Sequence, residues 1–141
     1  MAFFDSDRSK FLLDDTGGTQ RDLSAYITEI DGLPGARYLR ETTGMADQGR
    51  VFLPTAEDAR FVLRGLYDDA ASSGPDAVLG PLGAHGSAVD FEFAPTGTAS
   101  GSIKYSGVCW VEVYELRSRV GRLVEWTAHL RADGLVARGA Y

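Results

Sequence analysis

Cysteine and histidine are nearly absent from this chain of 141 residues, which contains one cysteine and two histidines. A single cysteine cannot form an internal disulfide, and a zinc site or a redox pair needs more sulfurs than the chain supplies. Cys109 stands between Val108 and Trp110 in a strand-like stretch. We therefore expect it to be a small buried side chain, in surroundings that do not favour a thiolate.

Lysine is also scarce, since only Lys10 and Lys104 occur, and the net charge is −6. Proteins that bind nucleic acid through its phosphates cluster lysine and arginine on one surface. The arginines here are scattered along the chain. This composition disfavours tight DNA binding, although it is compatible with a surface that DNA slides past.

Long apolar runs are missing as well, and none approaches the roughly 20 residues that a membrane span needs. The segment Met1–Phe4 is too short for the apolar region of a secretory signal, and acidic residues follow it at once. We therefore expect a chain that is made in the cytoplasm and carries no membrane anchor. Its 44% hydrophobic and 24% charged residues are typical of one globular domain over residues 1–141.

The stretch from Gly101 to Arg138 predicts a long antiparallel hairpin, because both arms are rich in β-branched and aromatic residues with a period of two. In the second arm, residues 124, 126, 128 and 130 are apolar, and polar residues alternate with them. The first arm is apolar on both faces: one face carries Ile103, Tyr105, Cys109, Val111 and Val113, and the other carries Val108, Trp110, Tyr114 and Leu116. Such a strand must be covered on both sides, by a helix within the fold or by a second subunit.

The rest of the chain predicts a β-sandwich or small barrel with one flanking short α-helix and about seven strands. Gly74-Pro75-Asp76 is a helix start, and we expect Pro81 and Gly83 to keep that helix short. Residues 21–30 fit either an amphipathic helix or a strand. Further strands are predicted at Phe11–Asp15, Tyr38–Thr43, Ala59–Tyr67, Val89–Phe93 and Leu135–Arg138, with a short apolar stretch at Arg50–Leu53 that Pro54 ends.

Two segments stand apart from this core. Residues 1–10 form a polar N-terminal arm that carries Phe3 and Phe4, which pack either on another molecule or on the parent domain. Residues 36–50 form an extended, glycine-punctuated loop between core strands. Long ordered loops in small domains are usually functional, and the alternative is a solvated loop.

No constellation of residues predicts catalysis, a cofactor or a metal. His85 lies in a glycine-rich loop and His129 on the polar face of a strand, and neither has neighbouring metal ligands in the sequence. The segment Gly80–Gly86 lacks the lysine of a phosphate loop and runs from a helix into a strand, the reverse of the required order. The acid pairs Asp14-Asp15 and Asp68-Asp69 are typical of solvated turn caps. We expect no enzyme.

Several segments, in order, resemble the major tail tube proteins of long-tailed, non-contractile (siphovirus-type) bacteriophages, especially those of actinobacterial hosts. They are R-D-L-S-A-Y-I-T-E-I-D-G-L-P-G (21–35), E-T-T-G-M-A-D (41–47), R-V-F-L-P (50–54), L-R-G-L-Y-D-D (63–69), F-E-F-A-P-T-G-T-A-S-G (91–101), K-Y-S-G (104–107) and D-G-L-V-A-R-G-A-Y (133–141). One departure is Pro54-Thr55-Ala56, where a proline-glycine-leucine turn is more usual. The resemblance rests on the order in which these segments follow one another. Each segment alone is weak evidence, because turns between strands often have such residues.

The resemblance implies a structural protein of the virion tail. Six copies would close into a ring, and the rings would stack helically into a tube through which the genome passes without specific binding. Partners would be further copies of the chain and other tail proteins, such as the tape measure, the tail tip and the terminator. The implied contacts between subunits and rings involve Phe3, Phe4, Tyr38, Arg40, Glu41, Met45, Asp47 and Arg50, and the candidate acids of the lumen are Glu112, Glu125 and Asp133.

Two other interpretations remain open at this stage. Another virion ring protein, such as a tail terminator or a neck protein, would form one ring and stop. A monomeric ligand-binding β-barrel would line a pocket with Trp110 and Trp126, although pairing across the hairpin more simply places both tryptophans in the core.

Overall fold

The computed structural model describes residues 3–141, apart from the side chains of Ser6, Ala84 and His85. This part of the chain is mainly β with one short α-helix, as predicted, but it forms ten strands. The elements are β1 Lys10–Asp14, β2 Gln20–Asp22, β3 Ile27–Asp31, β4 Ala36–Glu41, β5 Phe52–Asp58, β6 Arg60–Leu66, α1 Pro75–His85, β7 Val89–Ala94, β8 Ile103–Arg117, β9 Glu125–Ala132 and β10 Ala137–Ala140.

Eight strands form one antiparallel sheet in the order β2-β1-β7-β8-β9-β6-β3, with β10 also paired to β8. Strands β8 and β9 are the predicted long hairpin, in a register that places Val111 opposite Leu130 and Leu116 opposite Trp126. Strand β10 continues along the same edge of β8 after a short interruption, and begins two residues later than expected. Strands β4 and β5 pair only with each other in a second, two-stranded sheet.

The large sheet curls strongly around its core. Strands β1 and β6 lie four positions apart in the strand order, which would separate them by roughly 19 Å in a flat sheet. The ring centroids of Phe11 on β1 and Phe61 on β6 are only 6.1 Å apart. Phe91 on β7 lies 5.1 Å from Phe61 and 6.2 Å from Phe11. The sheet therefore folds over on itself into a sandwich-like layer pair with these three rings between the layers.

Helix α1 packs against β8 on the inward side of the curl. Val78, Leu79 and Leu82 are buried in the core cluster, and Pro75 occupies the first turn, where its missing N–H costs nothing. The helix is short, as expected, and Pro81 and Gly83 lie within it because it continues to His85. One lost backbone hydrogen bond is offset here because the residues on either side of Pro81 are held in the core.

Residues 21–30 are neither one helix nor one strand. They form the end of β2, a 3-10 turn at Ser24–Tyr26 and most of β3. Leu23 is buried, and Ile27 and Ile30 pack partly buried against the core. These apolar residues have helical spacing because the 3-10 turn separates β2 from β3. The apolar side chains before and after the turn both face the core.

Strand β8 changes its inward-facing residues at a β-bulge around Glu112, where the pairing with β9 slips by one residue. Cys109 and Val111 are buried before the bulge. Beyond it Tyr114 faces inward, 6.4 Å from Trp126 between ring centroids, and donates a 3.0 Å hydrogen bond to Asp76. Val113 is exposed instead. Leu116 lies opposite Trp126 on the side of Tyr114, so the predicted assignment of faces was wrong at Val113, Tyr114 and Leu116.

Pro54 lies inside β5 and does not end the apolar stretch before it, which corrects the expected stop. A proline is tolerated there because β5 has a partner strand on one side only, so the position that lacks an N–H can face away from the pairing. The strands predicted near residues 11–15, 59–67 and 89–93 are confirmed as β1, β6 and β7.

Gly65 on β6 provides a test of the close packing between β6, Tyr26 and the buried Trp126 ring. A Cβ at this position would overlap the Tyr26 carbonyl oxygen and lie 2.8 Å from the Trp126 ring, whose Nε1 donates to the Leu66 carbonyl at 3.0 Å. We expect Gly65→Ala to lower the free energy of unfolding by about 2–3 kcal/mol, a typical cost of overpacking. Gly49→Ala, which meets nothing within 4 Å, should be neutral in the same urea titration. Equal effects of the two substitutions would contradict the packing described.

Candidate assembly surfaces

A hairpin of β4, β5 and their connection, residues 36–58, projects from the large sheet and is called here the projecting hairpin. Its strands make no pairing with the large sheet. All residues from 36 to 56 are exposed, and only Glu57 and Asp58 are partly buried at its base. The predicted excursion at 36–50 is thus the first strand and tip of a longer ordered hairpin.

The projecting hairpin is unusually apolar for a surface that nothing covers. Leu39 is 58% and Leu53 55% exposed, and the pairing places them on opposite faces of the hairpin. Both faces therefore present apolar area to solvent, which in a soluble protein marks an interaction surface. The exposed large apolar side chains are Tyr38, Leu39, Met45, Val51, Phe52 and Leu53.

Hydrogen bonds give the projecting hairpin its shape without help from another chain. Thr55 donates to the Tyr38 carbonyl at 2.8 Å, and the Val51 amide donates to the Thr43 hydroxyl at 2.9 Å. At the tip, the Gly44 amide donates to Asp47 at 2.6 Å. A preformed surface loses less conformational entropy on association than a disordered loop.

The base of the projecting hairpin is tied to the large sheet. Asp58 accepts contacts from Arg131 on β9 at 3.4 Å and from Arg60 on β6 at 3.5 Å. Gly35 has φ +117° at the opposite side of the base, and a Cβ there would stand 2.5 Å from the Cβ of Ala59. Ion pairs and close backbone approach together fix the direction in which the hairpin leaves the domain.

The interface residues expected from the sequence fall into two groups. Tyr38, Arg40, Glu41, Met45, Asp47 and Arg50 all lie on the projecting hairpin, whereas Phe3 and Phe4 lie on the N-terminal arm. Some of the hairpin residues also have local structural roles, because Arg50 pairs with Glu41 at 3.3 Å and Asp47 caps the tip.

Sequence reasoning did not single out Leu39, Phe52 or Leu53 as interface residues. Phe52 and Leu53 were assigned to a short apolar stretch without a function. The available signal was the strand-like run before Pro54, which pairs residue by residue with β4. Because a hairpin that projects into solvent has no core, its apolar residues on either face are free for contact with another chain.

The outward face of the large sheet is a second uncovered surface. Trp110 is 46% and Val113 36% exposed, and both lie opposite outward-facing residues of β9, so the outward-facing apolar side of β8 lacks a cover within the described residues. Further along the same sheet, Arg64 on β6 pairs with Glu29 on β3 at 3.0 Å. Of the two covers expected for β8, helix α1 packs on its inward face, and cover of the outward face by a second subunit stays a prediction.

The three candidate lumen acids are all exposed, but at different places. Glu112 stands at the bulge of β8, Glu125 begins β9, and Asp133 follows the end of β9. Glu112 shares the outward face with Arg60 and His129, so that face is mixed in charge and not uniformly acidic.

The two tryptophans lie on opposite faces and cannot line one pocket, which removes the basis for a ligand-binding barrel built around them. Trp126 is 1% exposed in the core, as expected, whereas Trp110 faces outward opposite Arg131. The expectation that both tryptophans are core was therefore wrong for Trp110, because the outward face of β8 lies against solvent.

The remaining candidates for chemistry have structural explanations within residues 3–141. Asp15 accepts backbone amides from Gly17 and Thr19, and these bonds, the one from Thr19 foremost, hold its pKa below the ordinary value. Asp68 accepts the Ala70 amide at 2.7 Å. His129 is exposed on β9, while the side chain of His85 lies outside the described part. No cluster of three potential metal ligands occurs among the described residues.

None of the helices in the described part of the chain is long and apolar enough to span a membrane.

Comparison with known proteins identifies the fold. No family model matches the sequence, and no curated protein matches it significantly. Among solved structures, a chain of the SPP1 tail tube superposes with a TM-score of 0.76 at 17% identity, covering 99% of this chain and 80% of that one. A chain from the tail of an empty gene transfer agent particle, refined with C6 symmetry, gives 0.78 at 14% identity, covering 99% and 100%.

A third neighbour comes from the sheath/tube terminator of the extracellular contractile injection system PVC, with a TM-score of 0.71 at 11% identity and 99% coverage of both chains. The chain therefore has the fold of phage tail tube proteins, and a chain of a sheath/tube terminator structure has this fold too. At these identities the likeness establishes the fold alone.

Burial determines the reactivity of the single thiol. Burial, with a smaller contribution from Asp90, raises the pKa of Cys109 to about 12. We expect no reaction with a thiol reagent at pH 8 until the protein is unfolded, because only the thiolate reacts. Ser118→Cys, at an exposed position of the β8–β9 turn, should react at once in the folded protein. Rapid labelling of native Cys109 would contradict its burial.

Asp14 gives a pH-dependent prediction. Burial, and then the neighbouring carboxylates of Asp90, Asp15 and Glu92, raise its pKa above the ordinary 3.8. The folded chain therefore favours protonated Asp14. Above the raised pKa of the folded state, the ionised carboxylate destabilises the fold. We expect Asp14→Asn to raise the Tm slightly at pH 7, with the gain disappearing below pH 3.8. A gain that does not depend on pH would contradict this explanation, and Asp133→Asn is the exposed control.

Proposed function

We propose that this chain is a structural tail tube subunit of a bacteriophage virion, which forms rings of six copies that stack helically into a conduit for DNA. The observation that carries the proposal is the projecting hairpin, residues 36–58, whose two faces expose apolar side chains. A preformed apolar hairpin of this kind needs a cover, and a repeating assembly supplies one from the next copy.

The geometry suits contacts between unlike patches. The projecting hairpin and the outward face of β8 are different surfaces, so a contact between such patches joins copies head to tail and not about a two-fold axis. Head-to-tail contacts close into rings or extend into helical filaments, according to the rotation between copies. The neighbours with this fold come from such assemblies, including a tail with C6 symmetry and the SPP1 tail tube.

The charge of the chain suits a passage for DNA. Duplex DNA carries about one negative charge per 1.7 Å of its axis, and charges act across roughly 8 Å at physiological salt. A chain of net charge −6 with scattered arginines does not present the basic surface that would hold DNA in place. We propose that Glu112, Glu125 and Asp133 contribute to the wall of the bore.

The main alternative is another ring protein of the virion. A chain of a sheath/tube terminator structure shares the fold, so our preference for a tube subunit over a subunit that forms one ring does not rest on the fold. We favour the tube because surfaces are uncovered both on the projecting hairpin and on the outward face of β8, which suits contacts to more than one neighbour.

Other tail proteins would complete the assembly, and we propose the tape measure, the tail tip and the terminator as further partners. The host group draws no support from the structural neighbours, so the proposal does not extend to an actinobacterial host.

Electron microscopy of the purified protein, before and after concentration, tests the proposal. Open tubes or stacked six-fold rings are expected. Single rings that never stack would favour the terminator, and a protein that stays monomeric at high concentration would contradict the proposal.

A variant of the projecting hairpin gives the sharper test. We expect Leu39→Ser with Leu53→Ser to abolish tubes while changing the free energy of unfolding by less than about 0.5 kcal/mol, because both side chains are exposed. Val120→Ser removes a fully exposed apolar side chain from the β8–β9 turn and should leave the tubes intact. Normal tubes from the hairpin variant would refute the role of the hairpin.

A further inference from the structure

A groove of about 710 Å³ lies between β1 and β3, which approach without pairing. Its apolar floor is formed by Phe11, Ile27, Ile30 and Phe93, and the last three are only partly buried. Lys10 and Glu29 belong to its polar lining. A groove with this lining is suited to aromatic side chains on an extended peptide.

One wall of the groove is also an open sheet edge. Strand β3 pairs with β6 on one side and stands at the end of the strand order among the described residues. On the opposite wall, Phe11 of β1 already bonds to residues 23 and 24 through its backbone. The unpaired edge of β3 therefore provides backbone groups that an added strand would satisfy.

The N-terminal arm begins beside this groove but leaves it empty. Asp7 and Ser9 are part of the groove lining, while Phe3 is 89% and Phe4 57% exposed. A 3-10 turn at Ser6–Arg8 and a 2.9 Å hydrogen bond from Ser9 to the Pro95 carbonyl fix the direction in which the arm leaves. Neither phenylalanine belongs to the lining of the groove of its own chain.

We propose that the groove between β1 and β3 receives the arm of a second copy, with Phe3 and Phe4 on its apolar floor. At least five residues precede the turn, and five extended residues span up to about 17 Å, the length of the five-residue strand β3. The contact joins two different patches and so fits head-to-tail assembly. The inference rests on the proposed self-assembly and adds to it the site that accepts the arm.

Disulfide trapping between two single-substitution variants tests this contact. Phe4→Cys places a thiol on the arm and Ala25→Cys places one in the groove lining, both at exposed positions, so folding should be unaffected. The native Cys109 is buried and does not interfere. After concentration, the two variants are mixed with a mild oxidant, and linked peptides are identified by mass spectrometry.

We expect the mixed disulfide between the Phe4→Cys and Ala25→Cys variants to form at least roughly tenfold more than that between Phe4→Cys and the control Ser118→Cys, because docking raises the effective concentration of the two thiols. Equal yields would overturn the inference. A Phe4→Cys/Ala25→Cys double variant that closes within one chain at high dilution would overturn it too, because the arm would then occupy its own groove.

The outcomes separate this inference from the proposed function. Tubes without preferential cross-linking would overturn the docking of the arm and leave the tube proposal standing. Preferential cross-linking in a sample without rings or tubes would support the contact and contradict the proposed function.

Discussion

Curling of one antiparallel sheet around three phenylalanines is the constraint on which the rest of the structure depends. Phe11, Phe61 and Phe91 come from strands well separated in the sheet order and meet within 6.2 Å. This clustering draws β1 towards β6, and helix α1 adds Val78, Leu79 and Leu82 to the same core. The curl buries the apolar side chains of only one face of the sheet. The outward face of β8 and the edge of β3 stay uncovered, and the projecting hairpin has no place in the core.

The projecting hairpin, the outward face of β8 and the edge of β3 all favour association with another chain. Apolar area and unpaired strand edges cost little in an assembly, where neighbouring copies cover them, and promote association in a free chain. The projecting hairpin is ordered by its own hydrogen bonds, and Asp58 anchors its base. Association therefore requires little new ordering, which favours a repeated contact made by many identical copies.

Sequence patterns were reliable where residues alternate along a strand that has one wet face. Trp126, Ala128 and Leu130 lie in the core as the alternation indicated, and Pro75 begins the helix. Predictions from the alternation of residues failed where a bulge or a turn interrupts the regular strand backbone. The bulge at Glu112 moves Tyr114 inward, and the turn at Ser24–Tyr26 makes two strand segments resemble a helix.

The assembly surfaces were only partly visible in the sequence. Residues 36–50 stood out as an excursion, but nothing local shows that Phe52 and Leu53 pair with its first strand outside the core. The groove that we propose for the arm forms where β1 and β3 approach without pairing. The strands approach because the whole sheet curls, and the periodicity of a single segment does not predict this curl.

Hydrogen–deuterium exchange of the projecting hairpin, measured in dilute and in concentrated protein, tests the central claim most directly. If another copy covers residues 36–58, their amides should become protected as concentration rises, while the buried amides of β6 and β9 keep the same exchange rates. Hairpin amides that exchange equally fast in both samples, with rings or tubes present in the concentrated one, would contradict the account.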